Sequence, residues 1–353
     1  MLSFTYIGRP SRVIFGSGTL GRLPDEMRGL GISKALVLST TGRSKEAGYL
    51  AGILGDTTAA VFTGARMHTP VDLTEKALAL LLHSQADGII AFGGGSSIGL
   101  SKALALRTDL PQIVIPTTYS GSEMTPVVGE TTNGQKTMTS SAKVLPEVVI
   151  YDVDLTLTLP PLIAGVSGVN AIAHAVEALY AKDRNPVVRL MALEAIGNLY
   201  DALPTIVRTP DDAKARSQAL YGAWLGGLCL GSVGMALHHK LCHVLGGAFD
   251  LPHAETHAAV LPHVLAYNAR AVPEAINALR YRLGNPDPAM ALYNLVGRLG
   301  AASALSELGM PSGCEDAVVE QIITEPYWNP RGLEPIALKN MLERAYSGDA
   351  PRG

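Results

Sequence analysis

Nine histidines occur among the 353 residues, and five of them lie between His238 and His257, in "HHKLCHVLGGAFDLPHAETH". His239 and His243 are four apart, so they share one face of a helix. His253 follows beyond a glycine turn and a proline. His174 lies in "SGVNAIAHAVEALY", four residues after Asn170. A lone histidine is usually a core or surface residue. Four imidazoles at helical spacing beside apolar helices suggest a site, and imidazole can ligate a metal, move a proton or donate to an oxyanion. A carboxylate four residues before His174 would complete half of a metal site. Here that position carries an amide.

A second chemical signal is "AFGGGSSIGLSKALAL" from Ala91, an apolar run that enters Gly93, Gly94 and Gly95, then Ser96 and Ser97, then a helix. Glycines let the backbone approach an anion without Cβ clashes. The following helix start offers free N–H groups and the positive end of its dipole. A pyrophosphate is the expected guest; a tight strand–helix turn with capping serines is the alternative. The pattern is not G-x-G-x-x-G. The loop "IPTTYSGSEMTP" from Ile115 adds Thr117, Thr118, Ser120 and Ser122 as hydrogen-bonding groups, and it also follows a strand. Loops at the carboxyl ends of strands line the ligand crevice of a doubly wound sheet.

The elements that carry these motifs change along the chain. Short apolar runs recur in the first 150 residues: "KALVLST", "AAVFTG", "GIIAFGGG", "QIVIPTT" and "EVVIYD". Helical patterns such as Leu73 to Gln85 separate several of them. This alternation predicts βαβ units and a mostly parallel, covered sheet. The opening "FTYIGRPSRVIFG" reads as a hairpin. After Asp154 the pattern is helical: Val169 to Ala181, Val187 to Leu203, Ala213 to Leu237, Ala289 to Leu308 and Ile336 to Tyr346. The expected division is a Rossmann-like α/β domain over residues 1–157 and an all-α domain over 158–353.

Bulk properties exclude several classes. The chain is 47% hydrophobic and 17% charged, which describes a globular protein rather than a disordered one. A net charge of −3 without a basic run gives no support to nucleic-acid or membrane-surface binding. Ser217 to Leu237 carries no charge and is long enough to span a bilayer. Its glycines favour a buried helix that packs closely. Cys229, Cys242 and Cys314 are widely spaced and odd in number, and the first residues lack the order of a signal peptide. A cytoplasmic protein is expected.

Taken in order, "GGGSSI", "IPTT", "GSEMT", the His174 helix and the cluster of His239, His243 and His253 resemble the iron-containing (group III) alcohol dehydrogenase family. "MHTPV", "PTTYSGSEMTP", "KVLPEVVIYD" and "LHHKLCHVLGGAFDLPHAETHA" narrow the resemblance to its maleylacetate reductase branch. The resemblance implies a dinucleotide-binding domain and a helical domain, an active site in the cleft between them, and a homodimer. Metal-dependent members bind Fe²⁺ or Zn²⁺ through one Asp and three His. The matching positions are Asn170, His174, His239 and His253, so the anionic ligand is lost and no metal is expected. A family Asp just after the glycine turn is replaced by Gly99. His243 matches a family histidine near the nicotinamide.

The activity implied is NADH- or NADPH-dependent reduction of the C=C bond of maleylacetate, a dicarboxylate, to 3-oxoadipate. His243 and His253 are then expected as acid or oxyanion donors. His174, His239 and Lys240 would bind carboxylates, with Asn170, Tyr119 and Ser120 as further substrate contacts. Ser39 and Thr40 end the strand "KALVLST", where NAD-selective enzymes often place an acid. No acid stands there and Arg43 is near, so both cofactors are expected. Two rivals are a metal-dependent alcohol or polyol dehydrogenase and a non-catalytic nucleotide-binding protein on the same scaffold.

Overall fold

The structure, a computed structural model, describes residues 4–8, 11–132, 135–324 and 327–353. Its contacts divide the chain into two units, Gly8–Leu159 and Pro160–Gly353, with the segment before Gly8 grouped with the second. The sequence had placed that segment with the α/β domain. Residues 4–8 form no strand, so no sheet hydrogen bonds tie them to it.

In chain order the first unit contains β1 (Arg12–Gly16), α1 (Leu23–Gly29), β2 (Ala35–Leu38), α2 (Ser44–Leu54), β3 (Thr58–Phe62) and α3 (Val71–His83). Then come β4 (Gly88–Gly93), α4 (Gly95–Thr108), β5 (Gln112–Pro116), β6 (Val127–Thr132), β7 (Gln135–Ser140) and β8 (Val148–Asp152). Six strands form one all-parallel sheet, ordered β1-β8-β5-β4-β2-β3. Its central strands are apolar runs buried on both faces. One face packs Leu23 and Met27 of α1 and Leu50 of α2 against Val37, Ile90 and Ile113. The other packs Leu81 of α3 and Leu100 and Leu104 of α4 against Leu36, Leu38 and Ile89. Strand order reverses between β2 and β4, which makes their carboxyl ends the switch point of a doubly wound sheet.

The expected opening hairpin is not formed. β1 pairs with β8 in parallel, residues 4–8 are not strand, and Arg9 and Pro10 lie outside the described residues. A hairpin absent from the sequence reading does exist: β6 and β7 pair antiparallel beyond the loop that follows β5. Their polar sequences, "VVGETT" and "QKTMTS", hide the strand signal.

The second unit contains α5 (Pro161–Tyr180), α6 (Pro186–Arg208), α7 (Ala213–Ser232), α8 (Leu237–Phe249) and α9 (His253–Asn268). It ends with α10 (Pro273–Leu283), α11 (Pro288–Arg298), α12 (Glu315–Thr324) and α13 (Pro335–Ser347). Prolines at the first helical turn start α5, α6, α10, α11 and α13. Asn185, Asp212 and Asp287 cap α6, α7 and α11 by accepting from backbone N–H groups.

α5 packs on α6, α7 and α9. It is long and apolar enough to cross a membrane, yet 89% of its most apolar window is buried in the protein. The glycines of α7 allow close helix crossings. A Cβ on Gly226 would stand 2.8 Å from Ala171 O, and one on Gly222 would stand 2.8 Å from Leu199 Cγ. α7 stops at Ser232, not Leu237. Val233 is extended, Gly234 N–H donates to Asp183, and α8 leaves at 94°. α11 likewise stops at Arg298, well before Leu308, and Gly300 follows in the left-handed region.

Candidate active site

The first candidate site is backbone. Gly93 ends β4 with φ +143°, and Gly94 precedes the first turn of α4. A Cβ would stand 2.6 Å from Ser97 Oγ at Gly93, 2.9 Å from Thr118 at Gly94 and 3.2 Å from Ser120 Oγ at Gly95. A side chain would be strained at Gly93 and crowded at Gly94, while at Gly95 Ser120 would have to give by only a few tenths of an ångström. What remains is a run of small groups at a helix start that has no side-chain cap. Ser96 lies in the same turn, half-buried. Ser97 Oγ and Thr117 Oγ1 are buried with no partner in the protein. These features fit an anionic group such as a pyrophosphate.

Three details were not readable from the motif. Ser39 is fully buried, and its hydroxyl donates to Phe92 O at 2.9 Å. It is thus a clamp between β2 and β4, and Thr40 is the half-buried hydroxyl at the strand end. Ser120 lines the glycine turn, while Tyr119 is wholly buried in the same unit. The loop carrying Ser120 and Ser122 is pinned from beneath. Lys102 of α4 donates to Ser122 O (2.6 Å), Thr125 Oγ1 (2.8 Å) and Val127 O (2.9 Å). Burial pushes this lysine down to about 7 against the pull of Glu123, which itself accepts from Tyr151 OH. Gly99, one turn after Gly95, cannot carry a larger side chain without a shift, because its Cβ would stand 2.5 Å from Thr69 Oγ1.

The second candidate site is made of side chains in the helical unit. Asn170 and His174 are buried one turn apart on α5, and Asn170 Oδ1 and His174 Nδ1 have no partner in the protein. The His174 ring lies 5.1 Å from that of His239, in the first turn of α8. Asp250, in the left-handed region, closes α8 and turns the chain into α9, whose first residue is His253. His257 follows one turn on. Its ring lies 4.2 Å from His253, 4.9 Å from His238 and 5.0 Å from His239.

Thus His174, His239 and His253 do converge, with His238 and His257 between them. His243 is one turn beyond His239 and exposed. Lys240 is half-buried, its Nζ 5.9 Å from the Tyr327 ring centroid. Burial and then mutual repulsion keep the inner imidazoles neutral. His239 is pushed down to about 3 and His238 to about 4, while His174 and His257 are also lowered well below the usual value.

One residue here escaped the sequence reading. Glu177, the single charged side chain of α5, is fully buried. Its Oε2 accepts from His239 Nδ1 at 2.7 Å and Ala236 N–H at 2.9 Å, and its Oε1 from His238 N–H at 2.8 Å. Burial raises its pKa against those donors. The signal was present in the sequence, since a lone carboxylate in an otherwise uncharged helix, three residues after His174, faces the same side.

Residues 10–153 match the iron-containing alcohol dehydrogenase family, and residues 164–346 match the family's C-terminal domain. The chain is 51% identical over 350 residues to the maleylacetate reductase of Sphingobium indicum, with 99% of each covered. It is 50% identical to the maleylacetate reductase of Rhizobium sp. strain MTP-10005, whose crystal structure superposes with a TM-score of 0.95 over 99% of this chain and 100% of that one. A crystal structure from Ralstonia eutropha JMP134, described as a putative alcohol dehydrogenase, gives 0.98 at 48% identity, with the same coverage. The chain belongs to the maleylacetate reductase branch of the iron-containing alcohol dehydrogenase family. It is an oxidoreductase.

For a member of the iron-containing alcohol dehydrogenase family, the donor set is unusual. The ligand positions implied by the resemblance supply an amide and three imidazoles, two of which, His174 and His239, burial holds well below the usual pKa. His238, His239 and His257 also bring ring nitrogens within 4.8 Å of one another. In that trio, His238 Nε2 is engaged by His257 O at 3.0 Å and His239 Nδ1 by Glu177. The nearby carboxylate is itself held by three N–H donors. The residues present therefore do not match the one-carboxylate, three-imidazole set of the metal-dependent members.

Proposed function

We propose that this enzyme reduces the C=C bond of maleylacetate with NADH or NADPH, giving 3-oxoadipate, and that it does so without a metal. The observation that carries this reading is the buried group of Asn170, His174 and His239, whose Oδ1, Nδ1 and Nε2 have no partner in the protein and which carries an amide where a metal site would need a carboxylate. Membership of the maleylacetate reductase branch supports the substrate. Bound nicotinamide supplies the hydride.

Gly93, Gly94, Gly95 and the α4 N–H groups hold the pyrophosphate of the dinucleotide, with Ser96, Ser97, Thr117, Thr118 and Ser122 around it. Arg43, half-buried after β2, suits a 2′-phosphate, and no acid at Ser39 or Thr40 opposes one. Hydride addition to the alkene carbon β to the ketone leaves an enolate on the substrate. That oxygen needs donors, and the neighbouring carbon needs one proton. His243 is exposed and His253 half-buried. Both can regain a proton from water between turnovers, which the sealed His257 cannot. His174 and Lys240 bind the substrate carboxylates, whereas His239, its Nδ1–H committed to Glu177, presents Nε2 as an acceptor and does not bind them as the sequence suggested. Asn170 donates from its amide where an ionised Asp could only accept. The enzyme works as a cytoplasmic homodimer under this reading.

The deciding experiment is NADH oxidation with maleylacetate before and after exhaustive chelation, with metal analysis of the same sample. Unchanged turnover supports the proposal. Turnover of simple aldehydes but not maleylacetate overturns the substrate. Loss on chelation with recovery on adding Fe²⁺ or Zn²⁺ overturns the metal-free mechanism and favours the alcohol dehydrogenase alternative.

A further inference from the structure

We propose that Glu177 is a positioning residue that fixes which nitrogen of His239 meets the reactants. The inference rests on the reading above that His239 faces the substrate. Its chemistry is set by acceptor-only partners. A carboxylate can only accept, so the His239 nitrogen 2.7 Å from Glu177 Oε2 must be Nδ1–H. His238 offers no competing arrangement. Its Nε2 lies 3.0 Å from a backbone carbonyl, that of His257, and must donate to it. The neutral His238 ring then has a bare Nδ1, which cannot donate to His239 Nδ1 at 3.5 Å. The two tautomers are therefore forced together. His239 turns Nε2, buried and unpartnered in the protein, away from the carboxylate.

The same carboxylate sets where the His239 ring stands. α8 begins at Leu237 after Ala236, which has no side chain able to cap it. Glu177 supplies the cap from α5, accepting from Ala236 N–H and His238 N–H. An anion is favourable at that helix start. The first turn of α8, which carries His239, is thus tied to the turn of α5 that follows His174. A carboxylate meets all three donors. A glutamine could accept through one atom only and would turn an NH₂ group toward an N–H.

The test begins with the unaltered enzyme. In ¹⁵N-histidine-labelled protein, long-range ¹H–¹⁵N correlations should show His239 protonated at Nδ1, the signal being identified by its absence from His239→Ala. This arm needs no substrate. If maleylacetate is not reduced but Nδ1 carries the proton, the functional reading fails and the positioning role stands. Kinetics form the second arm. Glu177→Gln should lower kcat about tenfold to a hundredfold with the NADH Kd unchanged, as loss of a partner that orients a site histidine does. Glu177→Asp should recover part of it. In the His239→Ala background Glu177→Gln should cost less than about twofold more, because the two residues act as one unit. A proton on His239 Nε2 with Nδ1 bare, or an undiminished Glu177→Gln loss in the His239→Ala background, would overturn the proposal. Should Glu177→Gln not fold, the tautomer in the unaltered enzyme decides.

Discussion

The glycine turn between β4 and α4 and the histidine group of α5, α8 and α9 are opposite ways of building a site. The first is made by leaving side chains out. Its donors are backbone N–H groups, neutral at every pH, and its geometry depends on the missing Cβ atoms of Gly93 and Gly94. The second is made by crowding side chains in. Its imidazoles come from three helices, and burial together with mutual repulsion keeps them neutral. A backbone site can be damaged by adding one carbon. A side-chain site is damaged by taking atoms away or by changing the charge.

The largest effect follows from that difference. His239→Ala should lower kcat for maleylacetate by about a hundredfold or more, at least as far as Glu177→Gln does, because it removes the ring itself as well as its alignment. The NADH Kd from fluorescence titration should not move. If kcat and cofactor affinity fell together, the two sites would not be separable.

Gly93→Val should do the reverse. The left-handed φ of +143° and the 2.6 Å approach to Ser97 Oγ put strain of about 1–3 kcal/mol on the variant. The NADH Kd should rise roughly tenfold to a hundredfold while kcat at saturation is retained. An unchanged Kd would mean that this turn does not cradle the cofactor.

Asn170→Asp tests charge rather than shape. The substitution keeps the volume and adds an anion beside His174. Zn²⁺ binding by titration calorimetry should appear or tighten. Turnover of a dianionic substrate should fall by about tenfold or more, since like charges brought together cost several kcal/mol. Faster turnover in the variant would show that Asn170 is not there to accommodate negative charge.

The two regions also differed in how much the sequence disclosed. "GGGSS" carries its own geometry, because consecutive glycines before a helix leave few conformations, and the turn was legible with its neighbours Thr117 and Thr118. Ser39 was not, because a strand-end hydroxyl faces a ligand or a neighbouring strand with equal ease. The parallel sheet was legible from buried apolar runs. β1 was misread as half of a hairpin, because parallel pairing with the distant β8 leaves no local signal. In the helical unit, spacing along α8 gave His239 and His243. It could not show that the turn at Asp250 would bring His257 of α9 against His238 and His239 of α8, or that a 94° bend would set the start of α8 over Glu177. Convergence across helices depends on packing, and no periodicity within one helix encodes it.

His263 offers a comparison inside the helical unit, and the smallest effect at neutral pH. It lies on α9, is 1% exposed, and has both ring nitrogens unpartnered in the protein, with Tyr293 edge-on to its ring. Burial, and then the Arg344 charge, push it down to about 4. Its folded pKa lies below its unfolded value of about 6.5. Between those two values the unfolded chain binds a proton that the native protein does not. Stability is therefore lost as the pH falls from about 6.5 toward 4, and above 6.5 this residue contributes no pH dependence. The cost at pH 5 is about 2 kcal/mol by that linkage. His263→Phe should leave activity at pH 7.5 unchanged and should raise the unfolding midpoint in denaturant at pH 5 relative to the parent protein. Equal midpoints at pH 5 would show that His263 takes up its proton in the native state. A fall in activity would place it in the site with the imidazoles of α5 and α8, and the distinction between a core histidine and a working one would have to be drawn elsewhere.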